Sequence, residues 1–442
     1  MRIVIFSINP LYSNLVTGGA SKHLYHVAQH LGDLGHDVEV LCAEPVGGAD
    51  PFLWSDHVRV VPSLPFHLPF PQPYAISGAD LALITSRISD ALQTADRFYM
   101  HDGEWLVPDV YQSLPTVISF RDNIYPESVL GSFIGKADDI ICISPFSESV
   151  IEHTAGRFFP DLNRRTHLIR NGIDFNIFSP TDTSTLAQEL GINPKDEIII
   201  LHPHRPEHGK GLPETIRVVA SLVNEHQYKN IKVLIPEWIG EMVSTGERDF
   251  YQSMMELMTN LRVRDNFVFF PWMPMDRMPE LYSLGDVTLC LGKFVETFGN
   301  VAYESLGCET PSIVVNVGVH RSLMPDELLD KVDYGDIEQA VDRVLAILEG
   351  PPKPWGKIMH FLQTQLNFTR QVESYADIIV NCHKRETLKF HPPQNSQDVE
   401  YQLAPWCYFR NDMIYHDYRA KFEPAGALAE LLLDKDYITQ NK

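Results

Sequence analysis

Short, nearly continuous apolar runs recur along this chain, with stretches of helical periodicity between several of them, and the series starts again past the middle. In the first half they occupy residues 3–8, 38–42, 98–101, 117–120, 140–143 and 167–169. In the second they occupy 198–201, 231–235, 267–270, 287–291 and 312–315. A strand with no polar face is buried on both sides, and strands that alternate with helices pair in parallel. Two such series predict an α/β protein of two doubly wound, Rossmann-like domains. The first intervening helix shows the pattern: Leu24, Val27, Ala28, Leu31 and Leu34 fall on one face, and Gly35 follows as a C-terminal cap.

Size and composition agree with that reading. A chain of 442 residues exceeds one ordinary core. No apolar run reaches the roughly 18 to 20 residues of a membrane helix, and residues 1–7 are too short for a signal peptide. A soluble, cytoplasmic protein without membrane attachment is therefore expected. The six cysteines show no metal-ligand spacing, and Cys42, Cys142 and Cys290 lie inside strand-like runs as buried thiols. A net charge of −22 argues against nucleic-acid partners and docking on anionic lipid. Among the 18 histidines there is no HExxH and no His-x-His pair followed by carboxylates at ligand spacing; they read as ordinary structural histidines, and no metal is expected.

The best linker candidate is the segment 179–196, which holds Pro180, Pro194 and a short helical stretch at 186–190. Helices at 337–348, 355–366 and 372–383 close the second half, and any of them is free to cross back to the first. The expected division is 1–180, 181–384 and an extension 385–442. Residues 61–74 carry five prolines among aromatics and read as an extended loop, lining an acceptor site or covering a sheet edge. The extension holds an aromatic cluster, PWCYFRNDMIYHDY, and a helical stretch at 424–433; no role follows from either.

The stretch ETFGNVAYE, Glu296 to Glu304, places Gly299 where a loop would hand its backbone N–H groups to a helix start. Such a terminus attracts phosphate. The two carboxylates would then hold a sugar hydroxyl and a ribose; two unrelated acids on a surface are the other reading.

Several further motifs stand in one order with this one: TGGASKHLYHVAQHLGDLGHDVEVLCAE, ICISPFSESV, IRNGIDFNIFSP, HRPEHGKG and ETFGNVAYESLGCETPSIVV. Over residues 1 to about 380 the chain thereby resembles the retaining nucleotide-sugar glycosyltransferases of family four. The resemblance implies the GT-B fold, with two Rossmann-like domains facing a central cleft. It implies a metal-independent hexosyltransferase that uses no cofactor. A nucleoside-diphosphate sugar, UDP before GDP, would be the donor, and a small molecule or glycan the acceptor. The N-terminal domain would take the acceptor and the C-terminal domain the donor.

By the same resemblance Gly18 and Gly19 form a loop over the donor diphosphate, where the lack of Cβ admits close approach; a tight turn is the alternative. Arg205 and Lys210 match the family's basic pair and would neutralise the leaving diphosphate. Glu296 would contact the donor sugar and Glu304 the ribose, with Thr297, Phe298, Gly299, Asn300 and Val301 completing the donor site. Trp272 or Met273 would flank the base, unless Trp272 belongs to the core. His101 matches a family histidine. Arg121 stands where relatives carry another histidine; it lacks a neutral acceptor but can hold a hydroxyl or an anion. His204 replaces a glycine, and Glu309 replaces the turn glycine of EAMACGTP. A nucleotide-sugar epimerase or pseudo-glycosyltransferase on the same fold, and a non-catalytic binding protein, are the competing functions.

Overall fold

The computed structural model describes the chain except residues 14–17, 68–73, 104, 205–206, 238–244, 272, 393–401 and 427–442. The chain forms two units: Met1–Gly172 with Phe368–Pro405, and Ile173–Asn367 with the segment from Trp406 on.

The first unit is built on β1 (Arg2–Pro10), β2 (Asp37–Ala43), β3 (Phe52–Ser55), β4 (Val58–Leu64), β5 (Arg97–Met100), β6 (Thr116–Phe120), β7 (Asp139–Cys142) and β8 (Thr166–Leu168). Their spatial order is β3-β4-β2-β1-β5-β6-β7-β8. All pairs are parallel except β3 with β4. Both faces are covered, as the near-continuous apolar runs require. Ile3 and Ile5 pack with Leu24, Val27 and Leu31 on one side, while Val4 and Phe6 pack with Ile84, Ile88 and Trp105 on the other.

The division of the chain differs from the continuous boundaries expected from sequence. The helix Phe368–Asn381 lies in the first unit, where Tyr375, Ala376 and Ile379 fill the same layer as the helix Gly18–Asp33. Beyond it, Lys384 Nζ reaches Asp138 at 3.0 Å and Arg385 reaches Asp139 at 2.6 Å, tying the next residues along this unit. The segment 179–196, expected as a linker, is packed on the second unit: Thr181 N donates to Ser283 Oγ at 3.1 Å, and Arg277 pairs with Glu189 at 3.0 Å.

The proline-rich stretch is a strand as far as Leu64, and residues 68–73 lie outside the described residues. Pro62 is tolerated because β3 pairs only with residues 58–60 of β4, so one edge is open at the proline.

The second unit holds β9 (Ile198–Leu201), β10 (Ile231–Pro236), β11 (Phe267–Phe270), β12 (Val287–Cys290), β13 (Ser312–Val315) and β14 (Asp330–Val332). They run parallel in the order β11-β10-β9-β12-β13-β14. This is the doubly wound arrangement whose winding reverses between β9 and β12, and ligands bind at the carboxyl ends of the strands flanking such a reversal. A separate antiparallel sheet follows: β15 (Cys407–Arg410), β16 (Met413–His416) and β17 (Lys421–Pro424). It occupies the aromatic cluster of the extension. Of the helical stretch expected at 424–433, residues 427–433 lie outside the described residues.

Candidate active site

At the reversal in the second unit two loops cross in backbone contact. Gly209 and Gly211 take φ of 93° and 91°. A Cβ on Gly211 would meet Gly292 N at 2.4 Å, and one on Gly292 would meet Gly209 O at 2.2 Å. Phe294 N donates to Gly209 O at 3.0 Å. Only glycines permit this crossing, and its result is an apposition of charge. Lys210 Nζ lies 2.8 Å from Glu296 Oε1 and 3.7 Å from the centre of the Phe294 ring. Both side chains are largely covered, so water screens the pair weakly.

Glu296 is held by its backbone. Its N–H donates to Phe294 O at 2.8 Å and its carbonyl accepts from Val319 N at 3.0 Å. Gly299 has φ 77° and precedes the helix Asn300–Gly307, whose first turn has no side-chain cap. That helix start carries the partial positive charge of its first-turn N–H groups, which attracts anions. A Cβ at Gly299 would strike His320 Cε1 at 2.5 Å, because that imidazole packs directly on the turn. His320 is buried, meets Tyr303 Oη at 3.2 Å, and its pKa is pushed down to about 4, chiefly by burial. Phe298 packs on Tyr303 at 5.2 Å. Glu304, on the second turn, accepts from Tyr282 Oη at 3.1 Å. Thr297 Oγ1 is buried without a hydrogen-bond partner among the described residues, and Met273, three residues past β11, is buried. Asn300 and Val301 are half-buried. Arg205 and Trp272 lie outside the described residues.

Two histidines follow β9. His202 Nδ1 meets Thr215 Oγ1 at 3.0 Å, and its ring lies 5.1 Å from that of His204. The Nε2 atoms of both are buried without a partner. Burial first, then the Lys210 charge, pushes the His204 pKa down to about 3. It is a neutral imidazole where a family glycine was expected.

The first unit gathers its own polar cluster at the carboxyl ends of β1, β5 and β6. His101 Nε2 lies 3.0 Å from Ala20 O and Nδ1 lies 2.7 Å from Tyr99 Oη. A carbonyl only accepts, so Nε2 carries the proton and the ring is neutral. Its pKa lies well below the ordinary range, chiefly through burial. His101 thus pins the start of the helix Gly18–Asp33, the segment of Gly18 and Gly19, to the end of β5. Gly18 has φ 90° and space around its Cα, and the preceding residues 14–17 lie outside the described residues. His23 stacks on His101 at 5.2 Å. Arg121 Nη1 donates to His23 Nδ1 at 3.0 Å and to Tyr375 Oη at 3.3 Å, and Nη2 to Asn171 Oδ1 at 3.4 Å. All three acceptors are neutral, and among the described residues no carboxylate lies within 4 Å of this guanidinium.

The structure brings Lys210, Glu296, Thr297, Phe298, Gly299, Asn300, Val301 and Glu304 to one region of the second unit, and Gly18, Gly19, His101 and Arg121 to one region of the first. Sequence reasoning missed His320, Tyr303 and Tyr282 as their supports, and His23 and Tyr375 as those of Arg121. His320 stands 21 residues from Gly299 in sequence, in no motif that marks it. Among the described residues no group of three or more His, Cys, Asp or Glu is placed to hold a metal ion, and no helix is long and apolar enough to cross a membrane.

Comparison with known proteins places these two regions in context. Residues 17–177 match the family described as Glycosyltransferase Family 4, and residues 183–355 match Glycosyl transferases group 1. A putative glycosyltransferase of Bacillus subtilis, YtcC, is 22% identical over 298 residues, 64% of this chain and 71% of the relative. The D-inositol 3-phosphate glycosyltransferase of Acidothermus cellulolyticus is 30% identical over 188 residues, 41% of this chain and 40% of that protein. Among solved structures, HepE of Anabaena in complex with UDP and glucose superposes with a TM-score of 0.67 at 18% identity, covering 86% of this chain and 99% of that one. Sucrose-phosphate synthase of Thermosynechococcus elongatus gives 0.68 at 18% identity, covering 85% and 98%.

Proposed function

The chain belongs to the family-four-like glycosyltransferases of GT-B fold, and from that premise we propose that it transfers a sugar from a nucleoside-diphosphate donor to an acceptor hydroxyl, with retention and without a metal. UDP is the expected nucleotide, since the HepE structure carries UDP. The observation that carries the reading is the glycine crossing at the reversal of the second sheet, which sets Lys210 against Glu296 beside an uncapped helix start.

In this reading the N–H groups after Gly299 and the Lys210 ammonium receive the diphosphate, with Arg205 as the second cation. Lys210 then turns its charge from Glu296 to the phosphate as the bond to the sugar breaks. Glu296, released from the lysine, holds donor hydroxyls, and Glu304 holds the ribose. The departing phosphate takes the acceptor's proton, and attack on the same face preserves the anomeric configuration. The first unit takes the acceptor. Arg121, whose partners among the described residues are neutral, supplies the cation for an anionic group on the acceptor or donor, because a half-buried guanidinium gains most from a carboxylate or phosphate.

A thermal-shift screen over nucleoside diphosphates tests the reading. At a hundred times its dissociation constant the right nucleotide stabilises the protein by about 2.7 kcal/mol. Product analysis with a labelled UDP-sugar, in the presence of a chelator, should then show an α-linked glycoside from an α-linked donor. An epimerised sugar nucleotide, or no response to any nucleotide, would overturn it.

A further inference from the structure

The sheet β15–β17 lies outside both stretches matched to the glycosyltransferase families, yet it is anchored in the second unit by buried polar groups. Asp417, 1% exposed, follows β16. Its two carboxylate oxygens receive Arg321 Nη1 at 2.6 Å and Nη2 at 2.7 Å, and Oδ2 also accepts from Gly318 N at 3.2 Å. Arg321 is further fixed by Asn316 O at 3.0 Å and by the Tyr408 ring of β15 at 5.3 Å. Tyr408 Oη and Arg410 Nη1 each donate to Asp333 Oδ1 at 2.9 Å, just past β14. A buried carboxylate costs free energy unless it is paired and hydrogen-bonded. The bidentate Arg321 and the Gly318 N–H meet that need, so the carboxylate dictates where the turn 318–321 lies.

That turn is the one that holds the donor site. Val319 N donates to Glu296 O, and a Cβ on Gly318 would come within 2.4 Å of the same carbonyl. The next residue, His320, packs on Gly299. From Asp417 to Glu296 the path is therefore two hydrogen bonds and one peptide link. We infer that β15–β17 is a brace for the donor site, with Asp417 as a positioning residue that sets Glu296 and the Gly299 turn through Gly318–Arg321. The inference rests on the proposed function for its ligand, and on the geometry alone for its coupling.

Amide exchange by mass spectrometry and steady-state kinetics test it on the full-length protein. In Asp417→Ala, exchange should quicken at 294–300 and 316–322 as well as at 407–424, while the first unit is unchanged. The donor KM should rise about tenfold, as expected when a sugar-holding group loses its fixed position, with acceptor KM unaltered. UDP alone, which does not use Glu296, should lose less affinity than the sugar nucleotide. Asp417→Asn, which keeps an acceptor for Gly318 N–H, should recover most of the loss and serves if the alanine variant fails to fold. Arg419→Ala, at an exposed side chain in the turn between β16 and β17, should leave every readout as it is. Faster exchange confined to 407–424, or a lowered melting temperature with an unchanged donor KM, would overturn the brace. If the unaltered protein ignores nucleotide sugars, the glycosyltransfer reading falls, and the exchange arm still decides whether Asp417 holds the Glu296 loop.

Discussion

Glu309 adopts φ 60°, a left-handed conformation in which a side chain is strained, at the turn after the helix Asn300–Gly307. The resemblance marked this position as a glycine in relatives, and the backbone shows why. Glu309→Gly should stabilise the protein by about 1 kcal/mol, the strain relieved outweighing the added freedom of the unfolded chain, which urea denaturation would measure. Activity should be retained, since the side chain is exposed. Lys210→Ala makes the opposite kind of change. It removes the cation 2.8 Å from Glu296 and should lower kcat roughly 100-fold, as expected for a group that meets charge developing on a leaving group. Thermal stability should change little by comparison.

At the scale of elements, the crossing of the loops at Gly209–Gly211 and Gly292 is the least forgiving part of the second unit. Gly211→Ala combines φ 91° with a Cβ 2.4 Å from a backbone nitrogen, so neither chain can yield by turning a side chain. A loss of about 3 kcal/mol is expected, with donor binding lost even at temperatures where the variant is folded. A midpoint shift in urea together with a nucleotide titration would check both. The β15–β16 hairpin shows what a short element hides. Asn411 and Asp412, at φ 48° and 59°, make a two-residue turn between Arg410 and Met413. Asn-Asp between aromatic stretches was a readable hairpin signal; the flanking charges and short strands obscured it. β3, β14 and β17 are similarly short and partly polar, whereas strands buried on both faces stood out at once.

The molecule as a whole carries several buried neutral imidazoles, and their sum sets its response to acid. His23, His101, His202 and His320 are buried and have pKa values displaced downward, chiefly by desolvation. Each unfolded histidine takes up a proton near pH 6.5, while its folded counterpart stays neutral to lower pH. The unfolded state therefore binds more protons below that value. Stability should be full above about pH 6.5 and fall toward pH 4 at up to about 1.4 kcal/mol per pH unit for each histidine. Asp102 and Asp417 act the other way, since burial raises their pKa values and the folded state protonates first; they soften the lower end of the window. Urea midpoints from pH 7.5 to 5 would show the slope, and His101→Gln should flatten it.

Much of this was determined by the sequence alone, because strand burial and helix faces leave a period within a few residues of chain. The two sheets were legible on those grounds, and the motif from Glu296 to Glu304 with its Gly299 was legible as a contiguous stretch; the crossing at Gly209, Gly211 and Gly292 was not. Other features join residues far apart along the chain, and no local period records them. Lys210 meets Glu296 across 86 residues and Asp417 meets Arg321 across 96. The helix Phe368–Asn381 pattern said that one face was apolar and left open which sheet would cover it. The tertiary structure decided those matters, because the free energy of such contacts depends on which distant surfaces fold into reach.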